Sequence, residues 1–133
     1  MGYGPDNNLP LNEGMAVRLT IPRYAEVQLT FSSSANYENA ICIYNADMSK
    51  IYEKGNYGRD LNAVVIGRDR TKDRQIVISG WHKNSPPAGG RPWFQSPVRF
   101  APNEPDRFGS GSIGFEDAGD MDYNDITTSY TFQ

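Results

Sequence analysis

Ten consecutive residues, Glu116-Asp117-Ala118-Gly119-Asp120-Met121-Asp122-Tyr123-Asn124-Asp125, carry five carboxylates and one carboxamide. Like charges packed this closely repel, so an ordered loop of this composition needs a counter-charge. A hard divalent cation supplies it and prefers oxygen ligands. Asp120, Asp122 and Asn124 are two apart, so an extended or tightly curled segment points all three the same way. Glu116 can come back across the Ala118-Gly119 turn, and Asp125 closes the loop. The candidate metal ligands Glu116, Asp120, Asp122, Asn124 and Asp125 are all oxygen donors, with no His or Cys among them. That set selects Ca²⁺ over Zn²⁺ or copper, and Mg²⁺ prefers to keep its waters rather than fill a dense carboxylate cage. The Asp-x-Asp-x-Asn start matches an EF-hand, but Asp125 stands where that motif needs Gly and Thr131 where it needs Glu. The EF-hand is rejected and the calcium is kept. The competing reading is a solvated acidic hairpin that binds nothing.

The rest of the chain bounds what this segment can serve. The 133 residues carry 16 acids and 13 bases, for a net charge of −3. Without the five loop acids, 11 acids would face 13 bases, so the negative charge is largely one local object. A sequence pI near 5.1 argues against a general nucleic-acid binder. No apolar run approaches the ~18 residues of a membrane span, so no membrane insertion is expected. The N-terminal Met-Gly-Tyr-Gly-Pro lacks a basic start followed by an apolar stretch and reads as no signal peptide. Cys42, the single cysteine, allows no intrachain disulfide and no zinc-thiolate site, and reads as a small buried hydrophobe. His82, the single histidine, would have to be the base of any triad hydrolase; it is expected on the surface at a strand end. Asp120, Asp122 and Asp125 are too crowded to act as an isolated acid and base, and a calcium cage would hold them ionised. There is neither a nucleophile elbow nor a glycine-rich phosphate loop. The chain is therefore not expected to be an enzyme.

The elements that must position the acidic segment are strands. Met15, Val17, Leu19 and Ile21 alternate with polar or small residues, as do Ala25, Val27, Leu29 and Phe31, and again Ile126, Thr128, Tyr130 and Phe132. Period two means one face on a core and one in water. Shorter apolar runs at 40–44, 63–66, 76–81 and 98–101 are candidate inner strands, separated by turn formers such as Asn12-Glu13-Gly14 and Lys54-Gly55-Asn56. No window carries a convincing helical stripe. The expected fold is all-β: a single domain over residues 1–133, an antiparallel β-sandwich of about seven to nine strands, with the acidic calcium loop before the last one.

The string Glu116-Asp117-Ala118-Gly119-Asp120-Met121-Asp122-Tyr123-Asn124-Asp125, followed by a short final strand, resembles the calcium loop of the small fucose- and mannose-binding bacterial lectins. The resemblance implies an acidic loop holding two adjacent calcium ions, with sugar hydroxyls coordinating both. It gives Glu116, Asp120, Asp122 and Asp125 to one ion, and Asp122, Asn124 and Asp125 to the second, Asp122 and Asp125 bridging. The sugar would lie over Glu116, Asp120, Asp122 and Asp125, with Asp117 shaping the loop beside it. A second family loop touches sugar, and the matching stretch here makes Ser33, Ser34 and Asn36 candidate contacts. A Ser falls where the lectins carry a further Asn ligand, and the chain ends in Gln133 where they lend a C-terminal Gly carboxylate to a neighbouring subunit. One or two ions, and a homodimer, therefore both stay open. The same string, preceded by Gly114-Phe115, is also similar to calcium-binding modules of large secreted bacterial surface proteins.

Two further groups compete for a role. Trp81 and Trp93 flank a Pro/Gly loop and would suit a sugar face, but are expected in the core or rim. Arg59, Arg68, Arg70, Lys72 and Arg74 alternate with Asp60, Asp69 and Asp73, which reads as a solvated loop or edge strand rather than an anion site. The leading expectation is a calcium-dependent carbohydrate-binding protein, secreted or at the cell surface, whose partner is a glycan of fucose, mannose or another monosaccharide type. The alternative is a non-catalytic structural or adhesion module that calcium only stabilises.

Overall fold

The computed structural model describes residues 3–5, 10–33, 38–56, 60–82, 93–96, 98–100, 110–115 and 126–133. These residues form ten strands and one 3₁₀ turn, Glu13–Met15. The strands are β1 (Val17–Ile21), β2 (Val27–Ser33), β3 (Asn39–Asn45), β4 (Lys50–Gly55), β5 (Val64–Ile66), β6 (Arg74–His82), β7 (Phe94–Ser96), β8 (Val98–Phe100), β9 (Ser110–Phe115) and β10 (Ile126–Phe132). They make two antiparallel sheets. The front sheet runs β1-β6-β3-β4, with β7 also paired to β6; the back sheet runs β5-β2-β10-β9-β8. The expected β-sandwich is the observed architecture.

Alternation in sequence becomes the core between the sheets. Leu19 and Ile21, then Val27, Leu29 and Phe31, then Ile126, Tyr130 and Phe132 point inward and meet Ile41, Ile43, Ile76, Ile78, Ile113 and Phe115. Their neighbours Gln28, Thr30, Thr127 and Ser129 face outward on the back sheet, where Ser112 and Ser129 share a hydrogen bond of 2.9 Å. Thr128 is the polar residue on the inner face of β10. It is fully buried, and its hydroxyl donates to the Thr30 carbonyl at 3.1 Å, which satisfies it.

The front sheet is buried on both faces. Ala40, Cys42, Tyr44, Val77, Trp81 and Trp93 form a second cluster on its outer side, covered by Tyr3, Leu11, Ala16 and Met48. This is why 40–44 reads as an unbroken apolar run: one side meets the sandwich interior and the other the N-terminal segment. That segment is tied down by Lys50 Nζ donating to the Gly4 carbonyl at 2.7 Å, and by Gln95 exchanging hydrogen bonds of 2.8 and 2.9 Å with the Asn12 backbone. Cys42 is buried and in no disulfide, as expected.

Two runs expected inside the sheets are instead at edges. The β5 strand is three residues long at one edge of the back sheet, with Val64 and Ile66 turned inward and Val65 51% exposed. The β8 strand closes the opposite edge. A β-branched run signals strand, but does not tell two-sided burial from an edge. Three strands carried no clear alternating signal: β4, whose KIYEKG is mostly half-buried; β7, only three residues; and β9, SGSIGF, whose small residues make room for neighbours.

A chain of polar groups crosses the outer cluster. Trp81 Nε1 donates to Ser79 Oγ at 2.8 Å, Ser79 meets the Tyr44 hydroxyl at 3.0 Å, and that hydroxyl donates to the Tyr3 carbonyl. Burial, first of all, pushes Tyr44 well above its ordinary value of 10.0. The unfolded chain therefore gives up this proton first as pH rises. The stability linked to Tyr44 is fully present below that ordinary value and is lost as pH climbs toward the raised native one. Urea midpoints taken from about pH 8 to about pH 11 are expected to fall more steeply for the wild type than for Tyr44→Phe. Parallel declines would remove Tyr44 as the source.

Candidate functional site

Register decides what lies beside the acidic segment. Ile126, the first residue of β10, is paired with Phe115 on one side and with Ser33 on the other. Neighbouring strands sit ~4.8 Å apart, so the ends of β9, β10 and β2 stand in a row about 10 Å wide. The segment 116–125 starts and ends in that row, and 34–37 leaves from its other side. The same pole of the sandwich receives the start of β3 at Asn39, the end of β4 at Gly55 and the end of β6 at His82, because Asn39 pairs with His82 and Ala40 with both Gly55 and Trp81.

Glu116, Asp117, Asp120, Asp122, Asn124 and Asp125 lie outside the described residues, as do Ser34 and Asn36. Their anchors are described. Phe115 and Ile126 are buried at 1% exposure each, facing the interior. Phe115 packs against Gly80 of the front sheet so closely that a Cβ there would lie 2.2 Å from its ring. Ser33 is half-buried, and its Oγ accepts from Asn56 Nδ2 at 3.4 Å, while Asn56 Oδ1 accepts from the Asn39 backbone at 2.7 Å. One carboxamide thus ties the ends of β2, β3 and β4 together. Asp60, on the next loop, bridges Lys54 at 2.7 Å and accepts from the Asn62 backbone at 3.0 Å. The Lys54 hydrogen bond, first, holds the Asp60 carboxyl below the usual carboxylate range.

The aromatic residues separate differently from their order in sequence. Trp81 and Trp93 are buried in the outer cluster, at 1% and 6% exposure, as the core expectation had it. Phe94 is 45% exposed. Phe94 pairs with His82 across β7 and β6, and the two rings stack with centroids 5.9 Å apart. Their face of the front sheet is the one that carries Ile78 and Gly80, so Phe94 stands on the side toward Phe115. Nothing in the Trp93-Phe94 pair marks which ring is outside; the strand pleat alone assigns it. His82 corrects an expectation. It does end a strand, but it is buried at 7% exposure, with Nδ1 2.7 Å from Ser96 Oγ. Being on the inner face of its strand, it is covered by β7, which the sequence did not disclose.

Residues 67–73 of the Arg/Lys/Asp stretch are at the opposite pole, whereas Asp60 stands beside Lys54 at the near one and Arg59 lies outside the described residues. Residues 67–73 form no strand, and Arg74 opens β6 with Nη2 donating to the Ala25 carbonyl at 3.2 Å. The solvated-loop expectation for this stretch agrees with that placement. Among the described residues, no group of three or more His, Cys, Asp or Glu is arranged to hold a metal ion. The oxygen-rich donor set of 116–125 keeps the composition that suits calcium.

Comparison with solved structures returns bacterial lectins. A lectin of Chromobacterium violaceum, solved with alpha-methyl-fucoside, superposes with a TM-score of 0.53 at 19% identity, over 90% of this chain and 96% of that one. A high-affinity mannose-binding lectin of Ralstonia solanacearum gives 0.51 at 18% identity, with the same coverage. The C-terminal domain of a Burkholderia cenocepacia lectin gives 0.51 at 21% identity, over 85% and 91%. No family model matches the chain, and no curated protein matches it. The likeness is one of fold, and it extends over most of each chain.

Proposed function

We propose that this chain is a calcium-dependent carbohydrate-binding protein, a lectin without catalytic activity, with its site at the pole where β9 ends, β10 begins and β2 ends. The observation that carries the reading is the double register of Ile126. It brings the flanks of the acidic segment, Phe115 and Ile126, beside Ser33, the flank of the predicted second sugar loop, although 82 residues of chain lie between Ser33 and Glu116. The fold shared with fucose- and mannose-binding lectins supports it from outside the chain.

In this reading Glu116, Asp120, Asp122, Asn124 and Asp125 hold one or two calcium ions. When bound, calcium supplies open coordination positions for vicinal sugar hydroxyls. The same carboxylates, with Asp117, accept hydrogen bonds from those hydroxyls, and charge-assisted bonds of this kind are the stronger ones. Ser33, Ser34 and Asn36 add polar contacts from the neighbouring loop. Phe94 supplies an exposed ring on the same pole, suited to the apolar face of a sugar. Modules with calcium sites of modest affinity work where calcium reaches ~1 mM, which places the protein outside the cell or on its surface.

A glycan array probed in calcium and then in chelator tests the proposal. Signal confined to a related set of sugars, fucosides and mannosides first, and lost with chelator, is the expected result. An empty array from folded protein would overturn it in favour of a calcium-stabilised structural or adhesion module. Signal indifferent to chelator would overturn the calcium part.

A further inference from the structure

The chain leaves Ser33 at the end of β2 in the back sheet and enters Asn39 at the start of β3 in the front one, so the connection 34–38 crosses between the sheets. Packed sheets stand ~10 Å apart, with no backbone ladder to join them. One side chain spans this crossing. Asn56, just past the end of β4, is half-buried. Its Oδ1 accepts from the Asn39 N–H at 2.7 Å, and its Nδ2 donates to Ser33 Oγ at 3.4 Å. A single carboxamide therefore holds both ends of 34–38.

Asn56 is itself anchored. The Gly55 N–H donates to the Asp60 carbonyl at 3.1 Å, which closes 55–60 at its neck. The Asp60 carboxylate takes Lys54 Nζ at 2.7 Å and the Asn62 N–H at 3.0 Å. Lys54 is 8% exposed, and its ammonium lies 6.0 Å from the ring centroid of Phe31 and 5.8 Å from that of Tyr52. Lys54 and Asn56, two apart at one strand end, thus meet Phe31 and Ser33, two apart at another in the opposite sheet. The pleat puts residues two apart on the same face, so both contacts lie on the inner side of the sandwich.

From this bridge between the two ends of 34–38, the geometry points to Asn56 as a positioning residue for sugar recognition that touches neither calcium nor sugar. The inference rests on the lectin reading, in which Ser33, Ser34 and Asn36 contact the sugar beside Asp125. Ser33 is paired with Ile126, the residue after Asp125, so what fixes Ser33 fixes that flank of the site. Holding both ends of the connection before the sugar arrives removes part of the ordering cost that binding would otherwise carry. Calcium, held by 116–125 between β9 and β10, does not depend on this bridge. The consequence is a split: loss of Asn56 weakens sugar binding and spares calcium binding.

The test is isothermal titration of wild type, Asn56→Ala and Asn56→Asp, with Ca²⁺ alone and then with methyl fucoside and methyl mannoside in saturating Ca²⁺. Amide hydrogen exchange of the unliganded chains reads the bridge itself. Asn56→Ala is expected to weaken glycoside binding ~10-fold while Ca²⁺ affinity stays within about twofold. Asn56→Asp keeps an acceptor for the Asn39 N–H and takes the Ser33 hydroxyl as donor, so it should restore glycoside affinity to within about threefold of wild type. The Asn39 amide should exchange ~10-fold faster in Asn56→Ala and at the wild-type rate in Asn56→Asp, with the Phe115 and Ile126 amides unchanged. Unchanged glycoside affinity in Asn56→Ala, a parallel loss of calcium affinity, loss of the fold, or no rescue by Asn56→Asp would overturn the inference and leave the lectin reading in place. A folded wild type that takes neither glycoside in calcium would overturn that reading, and this inference with it.

Discussion

Asp122→Ala is expected to abolish calcium binding and, with it, all sugar binding. The proposed calcium cage has four carboxylates and one carboxamide, and Asp122 is, with Asp125, one of the two acids the lectin resemblance places between both ions. Losing it removes a bridging ligand and a full negative charge from a cluster that needs the cation to relieve its own repulsion. Calcium affinity should fall by more than ~100-fold, beyond the 10–100-fold typical of losing an outer-shell partner. The fold should survive, because Phe115 and Ile126 are buried and paired outside the segment. Isothermal titration with Ca²⁺, alongside circular dichroism, reads both quantities. Lys72→Ala, at the opposite pole, is the control and should bind calcium normally. Unchanged calcium affinity in the Asp122 variant would sink the assignment of the site to 116–125.

The second large effect is structural and comes from one hydrogen atom. Gly80 sits on the inner face of β6, where a Cβ would lie 2.2 Å from Phe115 Cγ, 2.4 Å from its Cβ and 2.7 Å from Cδ1. None of these atoms is the far end of a flexible chain, so Gly80→Ala must push the two sheets apart or turn Phe115 out of the core. Overpacking of this kind costs about 1–3 kcal/mol and sometimes more. At about 3–5 °C per kcal/mol for a chain of this size, Tm should fall by roughly 10 °C. Phe115 precedes Glu116 directly, so the same substitution should weaken calcium binding even in protein that remains folded. Gly80→Ala combined with Phe115→Leu should not recover the lost stability, since leucine keeps the Cβ and Cγ atoms that a Cβ at position 80 would meet. A Gly80→Ala variant as stable as the wild type would mean the sheets are not in such close contact. Calorimetry of the three variants decides the matter.

Much of this protein is legible from local order. Alternation at 17–21, 27–33 and 126–132 determined three strands and their inward faces, because burial on one side of a pleat imposes period two whatever the partner strand is. The crowding of Glu116, Asp117, Asp120, Asp122 and Asp125 determined the candidate chemistry, because charge repulsion depends only on residues close in sequence. Tertiary structure decided the rest. It made β5 and β8 edges rather than interior strands, covered the front sheet with the N-terminal segment, and buried His82 beneath β7. It turned Phe94 outward while burying Trp93. It also gathered Ser33 and Phe115 around Ile126. Each of these depends on which strands become neighbours, a choice made by contacts between residues tens of positions apart. Alternation tells a strand that it has a buried face, and only pairing tells it what that face meets.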